Sequence, residues 1–148
     1  MRDRVAVELV IADGSGPRRW AGRRATVEWL PYIPQSQFTD ALSRSHAVYL
    51  PVRETGRSAG QMVLVASMEA GLPTLVHPNE SLRPYRGEGI EGVDAVEHPL
   101  DRLIQMADTT ETARRSIRKR WERDFSLGAF SSNVLCALGR MGWPEPTR

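Results

Sequence analysis

Apolar residues in this chain fall into short runs rich in valine, isoleucine and leucine, separated by stretches in which apolar positions recur every three or four residues. Runs of the first kind read as strands and stretches of the second as helices, so the pattern is one of alternating strand and helix units. It predicts strands at residues 5–12, 25–30, 47–50 and 72–77, with a weaker fifth at 93–97. Their near-continuous apolarity implies burial on both faces. A parallel sheet covered by helices on each side, with right-handed crossovers, meets that requirement.

The intervening helices are marked by their own signals. Phe38, Ala41 and Leu42 follow Pro34, which fits a first helical turn. Residues 60–70 carry Met62, Val63, Val65 and Ala66, with Ser58 placed to cap the start and Gly71 to stop the end in a left-handed conformation. Leu100, Leu103, Ile104 and Ala107 mark a further helix, residues 110–124 another, and Phe130, Val134, Ala137, Leu138 and Met141 the last. The expectation is one Rossmann-like α/β domain over residues 1–142 with a four- to five-stranded parallel sheet, and a flexible tail over 143–148 holding two prolines. The segment 78–92 is rich in proline and glycine and follows a strand's carboxyl end, where open α/β sheets bind ligands.

Within this pattern, residues 47–77 stand out: a strand, a small-residue turn, an apolar helix and a second strand. Such a turn directs the helix's unbonded N–H groups and positive dipole end at whatever lies above the sheet, commonly an anion. Ser58, Ala59, Gly60 and Gln61 supply those backbone donors. Arg53 and Arg57 flank the turn, either as phosphate contacts or as ordinary loop arginines.

Composition narrows the class. Hydrophobic residues at 41% and charged residues at 26% match folded domains rather than disordered chains. No apolar run is long enough to span a bilayer, and the opening MRDRVAVELV lacks a signal peptide's apolar core, so a cytoplasmic location is expected. The single cysteine, Cys136, excludes an intrachain disulfide and any multi-cysteine metal site, and its apolar neighbours predict a buried position. The net charge of +2 hides two arginine clusters, at residues 18–24 and 114–123. Glu111, Glu122 and Asp124 accompany the second, which reads as a solvated helix face; nucleic-acid binding there would rest on charge alone. Among the histidines, His77 ends a strand and reads as structural or as a ligand contact, while His46 and His98 suggest no chemistry, and no spacing suggests a metal.

Four segments, VELVIADGSGP from Val7, VEWLPYIP running on to FTDALSRSHAVYLP, SAGQMVLVASMEAGLPTLV from Ser58, and DFSLGAF from Asp124, together resemble the C-terminal domain of GT-B retaining glycosyltransferases of the family 4 (group 1) type. The resemblance covers nearly the whole chain. It implies that the nucleotide-sugar diphosphate sits on the turn at 58–61 and that Tyr32 lies near the base, although Tyr32 also reads as a half-buried strand-end aromatic; no cofactor is expected. It also implies two glutamates, at positions that are Ser58 and Ala66 here; Glu54 either substitutes for the first through a rearranged turn or is a solvent-facing loop residue, while Glu69 lies on the wrong turn to replace the second. The family's acceptor domain and its phosphate-neutralising Arg and Lys have no counterpart in this chain. The expectation is a donor-binding domain that is truncated, degenerate or completed by a second polypeptide. The alternative is a non-catalytic interaction module on the same scaffold, open to self-association.

Overall fold

The computed structural model describes residues 7–12, 18–21, 25–30, 33–52, 60–77 and 80–141. The chain is mixed α/β and divides into two compact units, residues 1–43 and 44–148.

In the first unit, β1 (Val7–Ala12), β2 (Arg18–Ala21) and β3 (Ala25–Leu30) form a sheet in the order β1-β3-β2. β1 runs parallel to β3, with Val7 opposite Ala25 and Ala12 opposite Leu30. β2 was not expected. It pairs antiparallel with β3, Arg19 opposite Glu28, and its Arg-Arg-Trp sequence lacks the apolar run by which strands are recognised. Pro34 precedes helix α1 (Gln35–Arg44), and its carbonyl accepts from the Phe38 N–H at 3.0 Å.

In the second unit, β4 (Val48–Leu50), β5 (Thr74–Val76) and β6 (Ile90–Gly92) make a three-stranded parallel sheet with β5 in the centre. Leu50 pairs with Val76 and Thr74 with Ile90. Helix α2 (Gln61–Glu69) connects β4 to β5, and a 3₁₀ turn, Glu80–Tyr85, lies between β5 and β6. Helices α3 (Pro99–Ala107), α4 (Glu111–Asp124) and α5 (Leu127–Arg140) follow. The core of this unit joins Leu50, Val76 and Ile90 of the sheet to Leu64 and Met68 of α2, Leu82 of the 3₁₀ turn and Ile117 of α4. All are side chains that gain by leaving water and offer no polar group to satisfy.

Gly71 ends α2 as expected. With φ +71° it donates to the Met68 carbonyl at 2.9 Å, and Leu72 donates to Ser67 at 2.8 Å. A Cβ here would also lie 2.8 Å from the Arg114 carbonyl oxygen, so glycine lets α4 approach α2 closely.

Four expectations need correction. The last strand lies at Ile90–Gly92, and residues 93–95, read as part of a strand, form a 3₁₀ turn. Pairing decides this: Thr74 N–H donates to the Gly89 carbonyl at 2.8 Å, which puts Ile90 beside β5, and Asp94 is held by a bidentate bond from Arg86 at 2.9 and 3.1 Å. In α3 the buried residue is Met106, whereas Leu100 and Ile104 are exposed. On α5 no residue is buried, and Cys136 is exposed. The arginine cluster on α4 is only partly a solvated face. Arg114 and Arg118 donate to the carbonyls of His46 and Ala70, both at 3.2 Å. Arg120 is buried under Gly87, donates to the Arg86 carbonyl at 3.1 Å, and lies over the Phe125 ring.

Helix α3 is tied to β6 by Arg102, whose Nε donates to Glu91 at 2.8 Å while Nη2 donates to the other carboxylate oxygen. That hydrogen-bonded pairing holds the Glu91 carboxyl below its ordinary value of 4.5. Folding therefore favours loss of its proton. The resulting stability is fully present above pH 4.5 and is lost as the pH falls through the lower folded-state value. Asp94, bonded by Arg86, and Asp124, bonded by Arg123, are depressed in the same sense from 3.8. Thermal unfolding followed from neutral pH down to that range should show a falling midpoint, with a shallower fall in a Glu91→Gln variant.

Candidate functional site

The carboxyl ends of β4 and β5 and the start of α2 meet at one edge of the parallel sheet. Gly60 is the N-cap of α2, with φ 84° and ψ −10°, and among the described residues no side chain caps the helix. Its carbonyl accepts from the Leu64 N–H at 3.0 Å, which starts the helical ladder. The N–H groups of the first turn precede any partner along the helix, and the positive end of the helix dipole adds to their pull on an anion. Two constraints require glycine here. The backbone is left-handed, and a Cβ would lie 3.0 Å from both Leu50 Cδ2 and Val52 Cγ2, which pack against Gly60.

The surroundings fix this edge. Gln61 Nε2 donates to the Ser81 carbonyl at 3.0 Å, linking α2 to the 3₁₀ turn after β5. His77 N–H donates to the Leu50 carbonyl at 3.2 Å, extending the pairing of β4 and β5 by one bond. Its ring Nε2 lies 2.6 Å from the Tyr49 hydroxyl, with ring centroids 5.7 Å apart. Both rings are half-buried. Beyond β6, the Arg86–Asp94 pair lies against Gly92, where a Cβ would overlap Asp94 Oδ1.

Of the residues expected to hold a donor, Gly60 and Gln61 lie at this helix start. The Gln61 side chain is committed to Ser81, leaving its backbone N–H as the group it offers a ligand. The N-cap position belongs to Gly60 and not to Ser58, because the helix begins at Gln61. Arg53, Glu54, Arg57, Ser58, Ala59 and Tyr32 lie outside the described residues. Ala66 is on α2, half-buried, and Glu69 is exposed near the helix end, as expected. His46 and His98 are exposed.

Tyr49 was missed. Its strand position was legible, but its bond to His77 spans 28 residues and depends on the pairing of β4 with β5. Among the described residues, no group of three or more His, Cys, Asp or Glu could hold a metal ion, and no helix is long and apolar enough to cross a membrane.

No family model, curated protein or solved structure matches the chain.

Proposed function

We propose that this chain is a Rossmann-like, glycosyltransferase-type domain that binds a nucleotide-sugar donor in the cytoplasm, its diphosphate held by backbone N–H groups at the start of α2. The observation that carries this reading is the left-handed glycine N-cap of α2, Gly60, at the carboxyl edge of a parallel sheet. A diphosphate gains there from backbone donors and helix dipole together, with no side chain required. Arg53 and Arg57 are the proposed cationic contacts because they flank this turn in the sequence, while Glu54 as partner of the sugar and Tyr32 of the base rest on the resemblance. Transfer needs an acceptor-binding half in addition to this domain, so residues 1–148 are assigned donor binding and no catalytic residue.

Thermal unfolding in the presence of uridine, guanosine and adenosine diphosphate sugars tests the reading. A ligand of the folded state at a hundred times its dissociation constant stabilises by about 2.7 kcal/mol, which raises the midpoint by several degrees. No rise with any of them at millimolar concentration would remove donor binding.

A second reading, a self-associating interaction module, is favoured by α5. Leu127, Phe130, Val134 and Met141 follow one face of this helix and are 80%, 63%, 38% and 79% exposed. A helix of this length gains most of its stability from packing such a face. Residues 127–139 contain no charged side chain, so a second copy laid against the face meets no like-charge repulsion. Under this reading light scattering finds a dimer at micromolar concentration that Phe130→Asp converts to a monomer. A monomer throughout would dismiss it.

A further inference from the structure

At the opposite edge of the parallel sheet, where β5 and β6 begin, α3 and α4 diverge around a cavity of about 170 Å³. This is comparable to the cavity of about 150 Å³ that accepts a benzene ring in an engineered core. Its floor is apolar, with buried Met106 and Ile117. Its rim carries Glu88, Glu91, Arg102 and Ser116. The rim is the informative part, because its charges are not equally engaged.

Arg102 has little to offer a ligand. Nε and Nη2 are taken by the two Glu91 oxygens, and Nη1 donates to Gln105 Oε1 at 3.3 Å. The Glu91 carboxylate is correspondingly neutralised. Glu88 differs: it accepts from the Ser116 hydroxyl and, among the described residues, forms no ion pair. Arg123 feels its charge only at a distance and is itself engaged by Asp124 at 2.7 Å. The cavity therefore joins an apolar floor to one uncompensated carboxylate. We infer that it is a binding site for a small organic cation, an ammonium or guanidinium group carried on a single ring or short alkyl chain. The apolar body rests on Met106 and Ile117, and the cationic head bonds Glu88 at the rim. A ligand carboxylate would face that anion, while the one cation among the described lining residues, Arg102, is already paired with Glu91. This site is independent of the one at the start of α2.

Isothermal titration of the full chain with benzylamine, benzyl alcohol and benzoate tests the inference, the three sharing a ring and differing in head-group charge. Benzylammonium should bind about tenfold more tightly than the alcohol, as a charge-assisted bond allows, and benzoate not at all. Glu88 is exposed, so Glu88→Gln should leave the fold intact and reduce the amine to the level of the alcohol. Ala113→Trp, on the exposed part of the rim, should block both ligands. The inference is overturned if none of the three binds, if all bind alike, or if Glu88→Gln keeps the preference for the amine.

Discussion

Replacing Gly89 with alanine is expected to destabilise the unit at residues 44–148 by about 3 kcal/mol, the combined effect of overpacking and a left-handed side-chain-bearing residue. Gly89 has φ +77°, and a Cβ built on it overlaps Cγ1 and Cδ1 of Ile117. Ile117 is buried in the core cluster and cannot shift without disturbing the side chains packed against it. Nor can the backbone easily withdraw, because the Gly89 carbonyl accepts from Thr74 N–H at 2.8 Å where β5 and β6 begin to pair. Urea unfolding monitored by helical circular dichroism reads the loss. Combining Gly89→Ala with Ile117→Ala separates the causes: the double variant should be clearly more stable than the sum of the singles predicts, since the overlap disappears while the backbone strain remains.

Leu64→Ala should cost about 2 to 5 kcal/mol, the range for removing a buried leucine side chain. Leu64 is fully buried on α2, in one cluster with Leu50, Val76 and Ile117, and its N–H makes the first helical bond to the Gly60 carbonyl. The same residue therefore seats the helix and sets the depth at which its amino end meets the sheet. A Leu64→Met change, which keeps volume, should cost under about 1.5 kcal/mol. If alanine and methionine destabilised equally, the packing described for α2 would be wrong.

Local signals account for what was legible. The β-branched run ATVEWL marks β3 at its observed bounds, and Gly71 followed by Pro73 ends α2 because a left-handed stop and an imide are properties of single residues. The position of Gly60 and Gln61 at a helix start followed from the same kind of signal. What was illegible depends on partners distant in the chain. β2 is a strand because Arg18–Ala21 lines up against β3, and polar residues take that place without an apolar pattern. The strand expected at 93–97 is displaced to Ile90 because pairing with β5 sets where it starts. Periodicity located the stripe of α5 but carried no information on what covers it, so Cys136 was expected inside and lies outside. Arg120 belonged to a charged run, yet its guanidinium is enclosed by Gly87 and Phe125. The Tyr49–His77 bond requires two strands to meet before either residue has a partner.

The central claim is that an anionic nucleotide ligand binds at the start of α2. Amide resonances recorded by NMR during titration with a nucleoside diphosphate sugar test it most directly. The account predicts the largest shifts at the N–H groups of Gly60, Gln61 and Met62, with the residues around Glu88 and Glu91 unchanged. Saturating ligand that leaves those three amides in place, or moves a different surface instead, would contradict it.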